Sequence, residues 1–310
     1  MPVSWLNSST TFKAQIIGKL LGDAGITIQS GRKPRLKFNH RAADYQWSHY
    51  CYEQLSETLP LNKPVQYKQI DPRLKKGYSI IYYVQSLTHP IISYLYSKWY
   101  PKGKKTLPIT MIESHFTPES LAWWYMDDGH LKWSNNTLRK IVLSTECFSV
   151  QEIEWLIHFL QQTYKLPFTM DGQHRIVIYD QFHIHYFLKL IEPYSLVSMH
   201  RKLKPLSHLP SRFVKQRRTT LYLSKSIKLI NPTTDINNAL KELDTLIRLF
   251  KEGEIYNFFI ERKKNKTLKR SYQIVINSDN LEKLNFLKLN TGVTYSDLAE
   301  ACFRLTSVSL

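Results

Sequence analysis

The chain has 310 residues, and 43 Lys+Arg against 25 Asp+Glu leave a formal net charge of +18. A hydrophobic share of 43% builds real cores, which excludes a disordered basic tail, and no apolar run nears the ~20 residues that span a bilayer. Nucleic acid is the leading partner for such a charge, and the excess is uneven: residues 1–106 hold 16 Lys+Arg against 5 Asp+Glu. Met1-Pro2-Val3-Ser4-Trp5 lacks the basic and apolar blocks of a secretory signal. Cys51, Cys147 and Cys302 are too scattered for a disulfide framework or a metal knuckle. The expected location is intracellular, in a bacterial cytoplasm or an organelle, with no membrane involvement.

In chain order, the first element is an apolar helix from Phe12 to Asp23. Arg35-Leu36-Lys37-Phe38-Asn39 then alternates polar and apolar residues, as a strand does with one face on a core and the other on phosphate. A helix is expected from Ala42 to Thr58, strands at 65–70 and 78–85, and a short helix near Ile91–Trp99. The same order then repeats. Thr117-Pro118 opens a helix that runs to Asp128, and a strand follows at Lys140–Thr145. Ser149, with Glu152 three residues on, caps a helix to Tyr164; strands at 167–171 and 174–179 lead to a helix near Phe182–Ile191.

A fixed offset relates the copies. Asp23 and Asp128 are 105 residues apart, and the same step carries Arg35 to Lys140, Leu36 to Ile141, Phe38 to Leu143 and Asn39 to Ser144. Apolar falls on apolar and polar on polar, so an α+β unit is duplicated, with halves at 1–106 and 107–215. The resulting pseudo-two-fold object suits a roughly symmetric double helix. Arg35, Lys37, Asn39, Lys140, Ser144 and Arg175 are the expected DNA-facing residues of its sheets.

Each copy opens with an unusually apolar helix that ends in an acid, and the helix dipole disfavours a carboxylate there. Gly18, Gly22 and Ala122 would let the two helices approach closely and bring Asp23 and Asp128 together. Carboxylates so placed repel unless a hard divalent cation sits between them, which suits Mg²⁺. His174, His183 and His185 have no further ligands at zinc spacing and read as structural or surface histidines.

Thr117 to Gly129, with Trp124-Tyr125-Met126-Asp127-Asp128-Gly129 at its end, resembles the second signature of the LAGLIDADG homing endonucleases. Gly18, Leu20, Leu21, Gly22 and Asp23 are similar to the first signature, with Ala24 in place of its final glycine. Tyr100 to Lys105, Pro193-Tyr194 and Ser198 to Leu203 extend the likeness, which spans roughly residues 12–215. The resemblance implies a saddle of two antiparallel sheets on the DNA major groove, with the paired helices as the interface. It also implies Mg²⁺-dependent cutting of both strands by Asp23 and Asp128, one acid per motif. By position it makes Lys105 and Lys202 the candidates for the basic catalytic residues around the metal, and Asp127 a supporting residue.

Past about Arg217 the repeat ends, and residues 216–269 read as linker plus an amphipathic helix at Ile236–Lys251. A basic run, Arg262-Lys263-Lys264-Asn265-Lys266, precedes a block at 270–310: a strand at Tyr272–Ile276 and helices at Asp279–Asn290 and Thr294–Thr306. This block resembles a ribbon-helix-helix module, which would aim Ser271, Gln273 and Val275 at a groove. One strand is half a ribbon, so either two chains dimerise through the tail or the strand pairs within its own chain; the catalytic body itself is expected to be monomeric. The leading function is a site-specific double-strand DNA homing endonuclease. The alternative is a maturase that binds intron RNA on the same scaffold, and a third reading is a DNA-binding regulator without catalysis.

Overall fold

The computed structural model describes residues 2–134, 137–203, 218–260 and 268–308. The chain divides into two compact units, one of residues 1–179 with 187–204, the other of residues 180–186 with 205–310.

The first unit begins with a short helix α1 (Val3–Leu6) and the long helix α2 (Thr10–Leu21), whose N-cap Ser9 accepts from the Phe12 N–H. Strands β1 (Gly25–Thr27) and β2 (Arg35–Arg41) follow, then helix α3 (Tyr45–Ser56), strands β3 (Val65–Ile70) and β4 (Tyr78–Gln85), and helix α4 (Pro90–Trp99). Helix α5 (Ile109–His115) links to the second copy. That copy comprises α6 (Pro118–Asp128), β5 (Gly129–Ser134), β6 (Thr137–Leu143), α7 (Val150–Tyr164), β7 (Thr169–Met170), β8 (Ile176–Ile178) and α8 (Gln181–Ile191). Residues 181–186 of α8 belong to the second unit.

Two four-stranded antiparallel sheets result, in the matching orders β1-β2-β4-β3 and β5-β6-β8-β7. The duplication holds at the level of single pairs. Gly25, Ile26 and Thr27 pair with Lys37, Leu36 and Arg35; adding 105 to each number gives His130, Leu131 and Lys132 pairing with Val142, Ile141 and Lys140. Alternation sets the faces of β2: Leu36, Phe38 and His40 are buried, while Arg35, Lys37, Asn39 and Arg41 lie on the opposite, more exposed face. The second copy departs from the first in a register shift between Lys132 and Trp133, and in the shorter β7 and β8.

In the second unit, strand β9 (Arg218–Ser224) is followed by helices α9 (Pro232–Ala239), α10 (Leu243–Lys251) and α11 (Ile255–Ile260). The single helix expected at Ile236–Lys251 is broken by a 3-10 turn at Leu240–Glu242. Strand β10 (Lys269–Val275) is followed by α12 (Ser278–Thr291) and α13 (Tyr295–Val308). Of the two ways to complete the ribbon, the chain takes the one in cis: β10 pairs antiparallel with β9 over seven residues, Gln273 opposite Thr220. Leu221, Leu223, Ile274 and Ile276 face a core that also holds Ile236, Leu284, Leu298 and Phe182, while Thr220, Tyr222, Ser271, Gln273 and Val275 are exposed. The basic run Arg262–Lys266 lies outside the described residues.

Candidate active site

Helices α2 and α6 pack on each other without intervening side chains at two points. A Cβ on Gly22 would stand 2.5 Å from the Asp127 Cβ, and one on Gly18 would stand 2.7 Å from the Trp123 Cβ. Hydroxyl and amide groups tie the crossing together. Ser120 Oγ accepts the Thr117 N–H (3.1 Å), donates to the Ala14 carbonyl (2.8 Å), and Gln15 Nε2 donates to Glu119 (2.8 Å). This approach brings the two acidic helix ends side by side: the Asp23 N–H donates to Asp127 Oδ2 at 3.0 Å, and Asp128 is the next residue.

Asp23 and Asp128 are crowded, and their acidities show it. Burial first, then the Asp127 charge and that of Asp128, raise the Asp23 carboxyl to about 8, although a third of its side-chain surface stays open. Burial and then Asp127 raise Asp128 to about 6, with Lys105 and Lys202 partly relieving it. An open cleft of about 570 Å³ lies over Asp23, and its walls include Asn39, Arg41, His130, Arg201 and Lys202. Arg201 forks onto Asp44 (2.7 and 2.9 Å), which also takes Arg41 Nε at 3.0 Å.

The two lysines expected near the site each reach a helix end. Lys202 Nζ donates to the carbonyls of Tyr125 (3.1 Å), Met126 (2.6 Å) and Asp127 (2.8 Å) in the last turn of α6. Its own carbonyl accepts the Tyr125 hydroxyl at 2.6 Å, and burial lowers the Lys202 ammonium to about 8. Lys105 Nζ donates to the Ala24 carbonyl just past α2 at 3.3 Å, and burial lowers its pKa as well.

Asp127 also borders the open cleft, although its side chain is fully buried. Lys19 Nζ donates to Asp127 Oδ1 at 2.6 Å and Trp47 Nε1 donates to the same oxygen at 2.8 Å. Burial opposes ionisation of Asp127, but Lys19 and His40 outweigh it and hold the pKa low. Burial and then Lys19 lower the His40 pKa; its Nε2 lies 2.6 Å from Lys19 Nζ and 3.2 Å from Asp127 Oδ1. Asp23, His40 and Asp127 bring ligand atoms within 4.8 Å of one another, yet the Lys19 ammonium already supplies a cation at that point.

Lys19, His40 and Trp47 were not among the expected site residues. The β2 alternation puts His40 on the inner face with Leu36 and Phe38, which was the available signal for it; Lys19 and Trp47 carried none. Among the expected DNA-facing residues, Arg35, Lys37 and Asn39 share the more exposed face of β2. Lys140 is half-buried on β6, Ser144 lies one residue beyond that strand, and Arg175 is forked onto Asp171 at 3.1 and 2.7 Å. Gln273 belongs to the second unit.

Comparison with known proteins agrees with this fold. Residues 13–184 match the LAGLIDADG DNA endonuclease family. Cytochrome b mRNA maturase bI2 of Saccharomyces cerevisiae is 26% identical over 204 residues, covering 61% of this chain and 46% of its own. DNA endonuclease I-ChuI of Chlamydomonas applanata is 29% identical over 149 residues, covering 44% of this chain and 65% of its own. The chain thus spans about half the length of the yeast relative and under two thirds of the other. Among solved structures, the homing endonuclease I-WcaI bound to its DNA recognition sequence shares the fold, with a TM-score of 0.55 at 23% identity over 63% of this chain and 87% of that one.

Proposed function

The chain belongs to the LAGLIDADG DNA endonuclease family, and we propose that it is a site-specific, Mg²⁺-dependent endonuclease that hydrolyses both strands of a long DNA target. The observation that carries this reading is the meeting of the two acidic helix ends, where the Asp23 N–H of one motif reaches the Asp127 carboxylate of the other at 3.0 Å and Asp128 is the next residue. Hard oxygen donors that repel one another fit a divalent cation, which when bound acidifies the attacking water and neutralises the leaving oxygen. Asp23 and Asp128 hold the metal in this reading. Lys202 fixes the end of α6 and so the backbone that carries Asp128. Lys105 and Lys202 add positive potential where a scissile phosphate would lie. The exposed side of β2 and its counterpart at Lys140, Ser144 and Arg175 supply contacts to phosphates and base edges.

The tail, in the same reading, adds to DNA affinity through the polar face of its ribbon around Gln273, since a two-stranded ribbon fits the major groove. Its exposed strand residues include Arg218, Thr220, Ser271 and Gln273, and neither strand carries an acid. A second reading, an RNA-binding splicing cofactor, is favoured by the match to the yeast cytochrome b mRNA maturase. Cleavage of a randomised duplex library in Mg²⁺ tests the nuclease reading: recovery of a defined cut site supports it. Failure to cut, together with promotion of intron splicing, would transfer the assignment to the maturase.

A further inference from the structure

We propose that Lys19, acting through Asp127, is a positioning residue for the metal-binding acid Asp23. This rests on the endonuclease reading of Asp23 and deepens it. Lys19 projects from α2, and neither its side chain nor that of Asp127 has any exposed surface. A buried ion pair rarely stabilises a fold better than well-packed apolar residues of similar volume, so stability alone does not account for it. What apolar residues could not do is present a fixed oxygen to the Asp23 amide.

Asp127 does that. One of its oxygens is held by Lys19 and Trp47 at 2.6 and 2.8 Å; the other accepts the Asp23 N–H at 3.0 Å. Gly22, with no side chain, is what makes room for that carboxylate: a Cβ there would stand 2.6 Å from Asp127 Oδ2. Charge-assisted hydrogen bonds of this kind are roughly twice as strong as neutral ones, so the backbone of Asp23 is anchored to the opposite helix by an ionised group. The other half of the repeat lacks the device. The 105-residue step carries Lys19 to Trp124 and His40 to Thr145, both buried and neither a cation. Asp128 is held instead through the Lys202 grip on the α6 carbonyls.

The test compares the full-length wild type with the charge-balanced double variant Lys19→Met/Asp127→Asn. Two readouts do not involve cleavage: hydrogen exchange of the Asp23 amide without metal, and Mn²⁺ affinity by electron paramagnetic resonance. The expectation is a protected Asp23 amide in the wild type. In the folded double variant that amide should exchange faster, and Mn²⁺ affinity should fall by about tenfold or more, the usual cost of losing a partner that orients a ligand. An unprotected Asp23 amide in the wild type would overturn the proposal without any variant, as would wild-type Mn²⁺ affinity in a folded double variant. A protected amide in a wild-type protein that cuts no DNA would instead sink the endonuclease reading and leave the anchoring intact.

Discussion

Gly18 and Trp123 meet at the crossing of the two motif helices, where a Cβ on the glycine would stand 2.7 Å from that of the tryptophan and closer still to the Ser120 carbonyl. Alanine in a helix interior is worth about 1 kcal/mol over glycine, so local propensity favours Gly18→Ala. Overpacking a rigid contact costs roughly 1–3 kcal/mol and dominates here, because the clash is with backbone. Gly18→Ala should lower stability in urea unfolding; an unchanged or raised midpoint would mean that the helices can part at little cost.

The crowding of Asp23 and Asp128 predicts how pH and metal act together. Both carboxyls are raised, to about 8 and about 6, above their unfolded values. A raised acid contributes stability that is complete below its unfolded pKa and is lost as pH climbs through the folded one. In the metal-free protein these two contributions therefore fade from about pH 4 to about pH 8. A cation must displace their protons at low pH and relieves their repulsion at high pH. The rise in Tm on adding Mg²⁺ should be larger near pH 8 than near pH 5, by differential scanning calorimetry; the reverse order would place the metal elsewhere.

Lys37 and Arg175 should differ in what they contribute to DNA binding. Lys37 lies on the more exposed face of β2, whereas Arg175 is already forked onto Asp171. Lys37→Ala should weaken binding and reduce the salt slope by about one unit if it meets a phosphate, with a smaller effect for Arg175→Ala. Titrations at several salt concentrations decide it, and no change for Lys37→Ala would remove it from the interface.

The tail should leave the protein monomeric. Strand β10 already has a full antiparallel partner in β9, so the ribbon that a second chain would have completed is made in cis. Light scattering of the full chain should give one chain's mass, and one chain per duplex when DNA is added. A dimer held by the tail would contradict the cis pairing.

Much of this was legible before any coordinates. The 105-residue step is a property of residue types, and it carried through to individual strand pairs because burial selects apolar residues at the same points of both copies. Glycine and acid spacing likewise pointed to the helix crossing. Strand β9 was missed: Arg218 to Ser224 alternates well enough, but its partner β10 is far along the chain and only pairing distinguishes it from a linker. The Lys19–Asp127 pair was invisible for a different reason. A lysine near a helix end ordinarily points to solvent, and what buries this one is a carboxylate 108 residues away.

The most direct measurement takes Asp23→Asn and Asp128→Asn separately and assays cleavage and gel-shift binding on the same preparations. Each substitution replaces a hard anionic ligand with a much poorer neutral one while keeping shape and most contacts. The expected result is loss of double-strand cleavage in both variants with DNA affinity largely retained. Full cleavage by either variant would contradict the claim that each motif helix gives one acid to the metal.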